Sequence, residues 1–135
     1  MEKVISTHFK AYLENNNLLN ESHDAYRNNS STEQAVLNVM EQIYKSIDKG
    51  KISLLVLLNL CKAFDSVNHD LLLNKLIQLN IDSTWFASYL HDRTHSVKID
   101  NITSEAQSNL YGVPRGSILG PILFNIFIND ILKIN

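Results

Sequence analysis

The chain has 135 residues, about the length of one domain, and its hydrophobic fraction of 44% is enough for a core, which excludes wholesale disorder. The formal net charge is −2 and the basic residues form no stripe, which argues against strong autonomous binding to DNA or RNA. The single cysteine excludes an internal disulfide, and the lack of a signal-peptide pattern and of an apolar run of ~20 residues predicts an intracellular protein that crosses no membrane.

Two amphipathic helices are predicted in the N-terminal part. Apolar residues spaced four apart predict the first helix over residues 2–14, and an Asn-rich loop follows it. Ser31 is a predicted N-cap for a second helix over 32–49, and Gln34, three residues later, would complete a capping box. The apolar face predicted for this helix consists of Ala35, Val36, Val39, Met40, Ile43, Tyr44 and Ile47.

The middle of the chain predicts a buried strand and two further helices. Residues 52–60 form an apolar run after a glycine, and their length favours a strand buried on both faces over a buried helical turn. A helix is predicted over 69–79, and Asp82 is placed to cap a short helix after it. The first of these helices is expected to face inward with Leu72, Leu73, Leu76 and Leu79, and the short helix contains Trp85, Phe86, Tyr89 and Leu90.

The C-terminal part predicts a hairpin, a loop and a last helix. Residues 94–99 alternate apolar and polar side chains, as a half-exposed strand does, and 104–111 would return as the antiparallel partner. Residues 112–120 are predicted to be a loop, and Pro121 suits the first turn of a helix. The apolar residues of that helix are Ile122, Leu123, Ile126, Phe127 and Leu132. These elements predict one compact α+β domain with helices packed on a small, incomplete sheet.

Three stretches carry a family resemblance: residues 23–33, LLVLLNLCKAFDSVNHD at 54–70, and GVPRGSILGP at 112–121. In this order and spacing they resemble a fingers segment and two adjacent palm motifs of reverse transcriptases from non-long-terminal-repeat (LINE-type, jockey-like) retrotransposons. The resemblance covers nearly the whole chain. It implies part of the fingers and palm of a right-hand polymerase in a single partial domain, with fingers-like helices over 1–50 and a palm-like part over 51–135.

Asn59 stands where the resemblance places a metal-binding aspartate of the family. Polymerases join nucleotides with two metal ions, and Mg²⁺ prefers anionic oxygen ligands, whereas an amide brings no charge. We therefore predict a substituted catalytic position, with no metal expected for this chain. The alternative is a hydrogen-bonded polar residue that ends a core strand. Asp65 is not expected to substitute, because the corresponding acid of the family is not a metal ligand.

The resemblance implies nucleotide-binding roles for Arg27, Phe64, Arg115 and Gly116. Arg27 matches the arginine expected to grip the triphosphate, and a solvated loop charge is its alternative. Phe64 matches a gate residue whose ring would clash with a ribose 2′-hydroxyl, and a core aromatic is its alternative. Arg115 stands where the family commonly has glutamine, and its side chain is long enough to meet phosphate or sugar.

The glycine- and proline-rich stretch at 112–121 is the most specific part of the resemblance. In the family this loop lies beside the nascent base pair and contacts template and incoming nucleotide through its backbone. Glycine permits that close backbone approach. The alternative is a loop of turn residues that opens a helix. The template and primer contacts are assigned to Gly112, Pro114, Ser117, Gly120 and Pro121.

The implied ancestral activity is RNA-directed DNA polymerisation, with Mg²⁺ as cofactor and an RNA template and DNA primer as partners. The printed sequence stops before the paired-aspartate motif of the family, so we expect a fragment of this nucleotidyltransferase that is inactive alone. One alternative is a non-catalytic module that binds nucleic acid or protein, with self-association through the sheet edge that a missing strand leaves open. The other is a gene relic with no selected role.

Overall fold

A computed structural model describes residues 1–20, 23–27 and 30–131. The helices in this part are α1 (Glu2–Asn15), α2 (Thr32–Asp48), α3 (His69–Gln78), α4 (Thr84–Leu90) and α5 (Gly120–Ile128). A 3-10 turn at Ala63–Ser66 precedes α3. The strands are β1 (Thr94–His95), β2 (Lys98–Ile99), β3 (Ile102–Thr103) and β4 (Gln107–Ser108). β1 pairs antiparallel with β4, and β2 pairs antiparallel with β3.

The hydrophobic core lies where α1, α3, α4 and α5 meet. α5 contributes more of it than any other helix, since its side chains from position 122 to 126 are all buried. α1 joins the core through Phe9, whose ring centroid lies 4.9 Å from that of Phe86 on α4. The inward leucines predicted for α3 are confirmed, with Leu72 and Leu76 fully buried. Leu132, assigned to the last helix, lies outside the described residues.

Side-chain caps fix two of the helix starts. Ser31 Oγ accepts a hydrogen bond from the Gln34 N–H at 3.1 Å, as its N-cap prediction requires. The Gln34 side chain donates instead to Asn38 Oδ1 at 3.3 Å, so the reciprocal half of the capping box does not form. Asn68 Oδ1 accepts from the Leu71 N–H at 2.9 Å and opens α3 in the same way.

The predicted buried strand over residues 52–60 is wrong. These residues have no regular secondary structure, and their side chains face solvent, with Ile52 99% exposed and Leu57 84% exposed. No hydrogen bond to another described residue uses their backbone. A strand is stable only when a neighbour satisfies its N–H and C=O groups, and no strand of the described chain lies beside this run.

The two ribbons and α2 lie apart from the core. Every strand residue is exposed, so the helices pack on one another and the prediction that they pack on a sheet is wrong. The α+β class itself is confirmed. α2 has the predicted apolar face but buries none of its residues. The division at residue 50 into fingers-like and palm-like parts stays a prediction. In the described chain no helix has the length and hydropathy needed to span a membrane.

Candidate functional site

A cavity of about 330 Å³ opens between the 3-10 turn and the loop that precedes α5. It brings the two C-terminal motifs of the sequence together, because each contributes one wall. The cavity thus joins two motifs that lie far apart in the sequence. The lining residues are Tyr26, Lys62, Ala63, Phe64, Pro114, Arg115, Gly116, Ser117 and Pro121.

Hydrogen bonds hold the start of the loop on the turn. The Val113 N–H donates to Phe64 O at 2.9 Å, and the Gly112 N–H donates to Val67 O at 2.7 Å. His69 Nε2 lies 2.8 Å from Gly112 O. A carbonyl oxygen only accepts, so Nε2 is the donor of this bond. The three bonds fix one wall of the cavity relative to the other.

The rest of the loop is shaped for the start of α5. Ser117 Oγ donates to Pro114 O at 2.8 Å and accepts from the Gly120 N–H at 2.9 Å. A Cβ at Gly120 would lie 2.8 Å from Ser117 Oγ and 2.9 Å from Pro114 O, so this position has no room for a side chain. Pro121 stands in the first turn of the helix, as predicted.

Phe64 belongs to both the core and the cavity. Its ring centroid lies 4.8 Å from that of Phe124 on α5 and 6.3 Å from that of Tyr26. One part of the ring is therefore packed, as the core alternative requires, while another part lines the cavity. Its role as a sugar gate stays a prediction.

Tyr26 is a cavity residue that the sequence reading did not assign. It precedes Arg27 in the first of the three stretches that carry the family resemblance. α5 positions it, because Asn125 Nδ2 donates to Ala25 O at 2.6 Å. Arg27 itself does not line the cavity, and its Nη1 donates to Asn20 O at 3.0 Å. A triphosphate contact by Arg27 stays a prediction.

Arg115, which lines the cavity, pairs with Asp65 of the 3-10 turn. Arg115 Nε donates to Asp65 Oδ1 at 2.9 Å, and Arg115 Nη2 donates to Asp65 Oδ2. The hydrogen bonds from the guanidinium lower the pKa of Asp65, and those to the carboxylate raise the pKa of Arg115. The Arg115 side chain is 73% exposed, so solvent screens the pair. The sequence reading missed this partnership.

Glu2 of α1 holds the loop near its end, at Ile118. Its Oε1 accepts from the Tyr89 hydroxyl at 2.7 Å, and its Oε2 accepts from the Ile118 N–H at 3.2 Å. These bonds, with that from Tyr89 the larger cause, lower the pKa of Glu2. Burial raises the pKa of Tyr89. α1 and α4 therefore take part in positioning the loop.

The described residues do not fit a magnesium ion. Asn59 is exposed in the unpaired run, lies outside the cavity lining and offers only a neutral amide oxygen. Both oxygens of Asp65 already accept hydrogen bonds from Arg115. Within the described ranges no group of three or more His, Cys, Asp or Glu side chains is placed to hold a metal ion. Asn59 and Asp65 therefore do not form the hard, anionic ligand set that Mg²⁺ requires.

Comparisons with known proteins agree on one family. The family profile described as reverse transcriptase (RNA-dependent DNA polymerase) matches residues 1–135. The chain is 29% identical over 133 residues to the probable RNA-directed DNA polymerase from transposon BS of Drosophila melanogaster, an alignment that covers 96% of this chain and 15% of that protein.

Two further relatives come from the same organism. Identity is 28% over 132 residues to the probable RNA-directed DNA polymerase from transposon X-element, covering 96% of this chain and 14% of the relative. It is 29% over 107 residues to the RNA-directed DNA polymerase from mobile element jockey, covering 78% and 12%. The chain thus spans about 15% or less of the length of these relatives. No solved structure matches it significantly.

Proposed function

The chain belongs to the reverse transcriptase family, and we propose that it forms the part of an RNA-directed DNA polymerase that surrounds the incoming deoxynucleotide. The cavity between the 3-10 turn and the loop at 112–121 carries this proposal. It places Phe64 of one motif beside Gly116 and Ser117 of the other. An aromatic ring and exposed backbone in one concave site are suited to a sugar and a base.

Each wall would meet a different part of the nucleotide. The exposed part of the Phe64 ring would exclude a ribose 2′-hydroxyl and so favour deoxynucleotides. Gly116 has a φ of +75° and nothing within 4 Å of where a Cβ would stand, which leaves its backbone open to a ligand. Ser117 and Pro114 shape the loop beneath it. Base pairing to an RNA template at this loop is part of the same proposal.

We propose that the 135-residue chain does not polymerise DNA by itself. Asn59 replaces a charged ligand, and the Asp65 carboxylate is engaged by Arg115. The metal-dependent step would then need carboxylates from residues outside these 135. Binding to an RNA template and DNA primer would be weak, because the formal charge is −2 and phosphate neutralisation drives such binding.

A ligand-protection experiment tests the nucleotide site directly. The purified chain is incubated with dATP or ATP, and deuterium exchange of a peptide covering residues 112–120 is followed by mass spectrometry. We expect dATP to protect this peptide more than ATP, and Phe64→Ala to remove the difference. Tyr44→Ala on the exposed face of α2 is the matched control. Equal exchange with and without dATP would refute the site.

A primer-extension assay tests the inactivity. A labelled DNA primer on an RNA template is incubated with the chain, Mg²⁺ and all four deoxynucleotides. We expect no extension by the unaltered chain or by Asn59→Asp, because one carboxylate alone does not complete a two-metal site. Robust extension by either would show that the chain holds a working active site.

A second candidate function is self-association, which the exposed run at 52–60 favours. The run is uncharged, its apolar side chains face solvent, and its backbone makes no hydrogen bond to a described residue. Self-association was expected at an open sheet edge, and this unpaired run stands in its place. An identical run of a second copy would pair with the backbone N–H and C=O groups of residues 52–60. A molar mass that rises with concentration in light scattering would support this candidate, and a constant monomer mass would refute it.

A further inference from the structure

The loop over the cavity is held between two carboxylates. Asp65 receives the Arg115 guanidinium at one end, and Glu2 receives the Ile118 N–H at the other. Gly116 lies between these anchors and touches nothing within 4 Å of its would-be Cβ. Gly116 therefore has open space at the position of a side chain, and the hydrogen bonds of Arg115 and Ile118 on either side of it set where it lies.

The Arg115 guanidinium is already engaged within the chain. Its paired donors face both oxygens of Asp65, a geometry that matches a carboxylate closely. To bind a phosphate with the same donors, Arg115 would leave the Asp65 carboxylate unpaired beside the phosphate. The carboxylate and the phosphate carry like charges and would repel each other. Exchanging Asp65 for a phosphate as the partner of Arg115 would therefore gain little free energy.

Lys62 is the second cation on the cavity wall. It lies at the start of the 3-10 turn with a φ of +51°, and it lines the cavity together with Phe64. It forms no salt bridge to a carboxylate of the described chain, although its charge, after the larger effects of Arg115, also helps to lower the pKa of Asp65. Its ammonium group therefore remains available to an anion, unlike the guanidinium of Arg115.

We propose, on the basis of the proposed nucleotide site, that Asp65 and Arg115 form a clasp that positions the loop, and that Lys62 meets the nucleotide phosphate. Arg115 is then a positioning residue, although its place in the motif suggests a nucleotide contact. The charge pair would hold the loop against the 3-10 turn.

Loop exchange in the free chain tests the clasp without any nucleotide. Asp65→Asn and Arg115→Gln should each raise deuterium exchange of the 112–120 peptide by a similar factor, roughly two- to fivefold for a solvent-exposed pair. The swapped double variant Asp65→Arg/Arg115→Asp should restore part of the protection. In the unaltered chain, 1 M NaCl should act in the same direction as the single variants.

A matched control is available on α2. Glu41→Gln removes another exposed ion pair, that between Lys45 Nζ and Glu41 Oε1 at 2.7 Å, and should leave the loop peptide unchanged. Unaltered loop exchange in both Asp65→Asn and Arg115→Gln would overturn the clasp. So would a large effect of one variant without the other, because breaking a pair from either side should free the same loop.

Binding of inorganic tripolyphosphate and of dATP tests the division of roles. We expect Lys62→Gln to weaken both probes several-fold, and both Asp65→Asn and Arg115→Gln to weaken dATP. If Arg115 were the phosphate ligand, Arg115→Gln would weaken tripolyphosphate binding at least as much as Lys62→Gln does. A loss of that size would overturn the proposal.

The two proposals fail in different ways. Absence of dATP binding by the unaltered chain would refute the nucleotide site and the role of Lys62. The clasp would still be judged by loop exchange in the free chain. Loop exchange that ignores Asp65 and Arg115, with dATP binding intact, would refute the clasp and leave the nucleotide site standing.

Discussion

Gly112 lies directly against the backbone of Asp65. A Cβ at position 112 would stand 3.1 Å from Asp65 Cα and 3.2 Å from Asp65 O, and the φ of Gly112 is +92°. Close approach and left-handed backbone thus both require glycine here. The contact brings the carboxylate of Asp65 within reach of the loop that carries Arg115, so one glycine couples the packing of the turn to the charge pair.

We predict that Gly112→Ala destabilises the chain by about 1–3 kcal/mol, because it combines backbone strain with a clash against Asp65. Chemical denaturation followed by circular dichroism gives the free energy of unfolding. Gly50→Ala is the matched control, since Gly50 also has a positive φ of +64° but nothing lies within 4 Å of its would-be Cβ. Equal losses for both variants would show that the contact with Asp65 contributes nothing.

The core around α3 predicts a clear difference between two leucines. Leu76→Ala should cost about 2–5 kcal/mol, because the side chain is fully buried and its loss leaves a cavity. Leu71→Ala should cost little, since that side chain is exposed on the same helix. Denaturation midpoints of the two variants measure this, and similar midpoints would contradict the packing described for α3.

Two helix caps of the same chemistry should have different effects on stability. Asn68→Ala removes the cap of α3 and should lower the free energy of unfolding by about 1 kcal/mol, because α3 is part of the core. Ser31→Ala removes the cap of α2, which buries no residue. It should reduce helix content in circular dichroism and leave the denaturation midpoint unchanged. A shift of that midpoint would mean that α2 packs more firmly than described.

These contrasts show which features the sequence could predict. Helices were predictable because their signals are local: Ser31 lies three residues from the amide that it caps, and the α3 leucines recur at helical spacing. The run at 52–60 was not predictable as unpaired, because its own composition is that of a buried strand. Whether this run forms a strand depends on neighbouring strands to pair with, and the residue pattern of the run itself does not show whether these exist.

The candidate site shows the same limit. The cavity unites Phe64 with the loop at Gly116, and both motifs were recognisable from their residue order. The pairing of Arg115 with Asp65 was not, because the partners lie in different motifs and no local spacing relates them. Tyr26 could not be assigned to the cavity from the sequence, because only the contact with the Phe64 ring shows where it lies.

The contact between Glu2 and the loop should depend on pH. The pKa of Glu2 is lowered from 4.5, so the ionised form stabilises the folded state above that value and the stabilisation is lost as pH falls through the lower folded pKa. Exchange of the 112–120 peptide, corrected for the intrinsic pH dependence of exchange, should therefore rise below pH 4.5.

In Glu2→Gln the loop peptide should show high exchange at neutral pH and a weaker rise in acid. Asp65 also has a lowered pKa, so some acid dependence should remain and should disappear only when Asp65→Asn is added. Glu105→Gln is the control, because the Glu105 carboxylate makes no hydrogen bond or salt bridge to another residue of the described ranges. A full acid transition in Glu2→Gln would contradict the role of Glu2.

The exposed run at 52–60 predicts how self-association should respond to charge. Val56→Lys places an ammonium group in the middle of the run, at a side chain that is 65% exposed, so the monomer should tolerate it while strand pairing between copies should not. Light scattering over a range of concentrations should then show a monomer where the unaltered chain shows larger species. Ile77→Lys, on the outer side of α3 and 57% exposed, adds the same charge away from the run and should leave association unchanged. Only Val56 lies in the run where two copies would meet. If both variants reduce association equally, general charge repulsion would explain the result, and pairing through the run would be refuted.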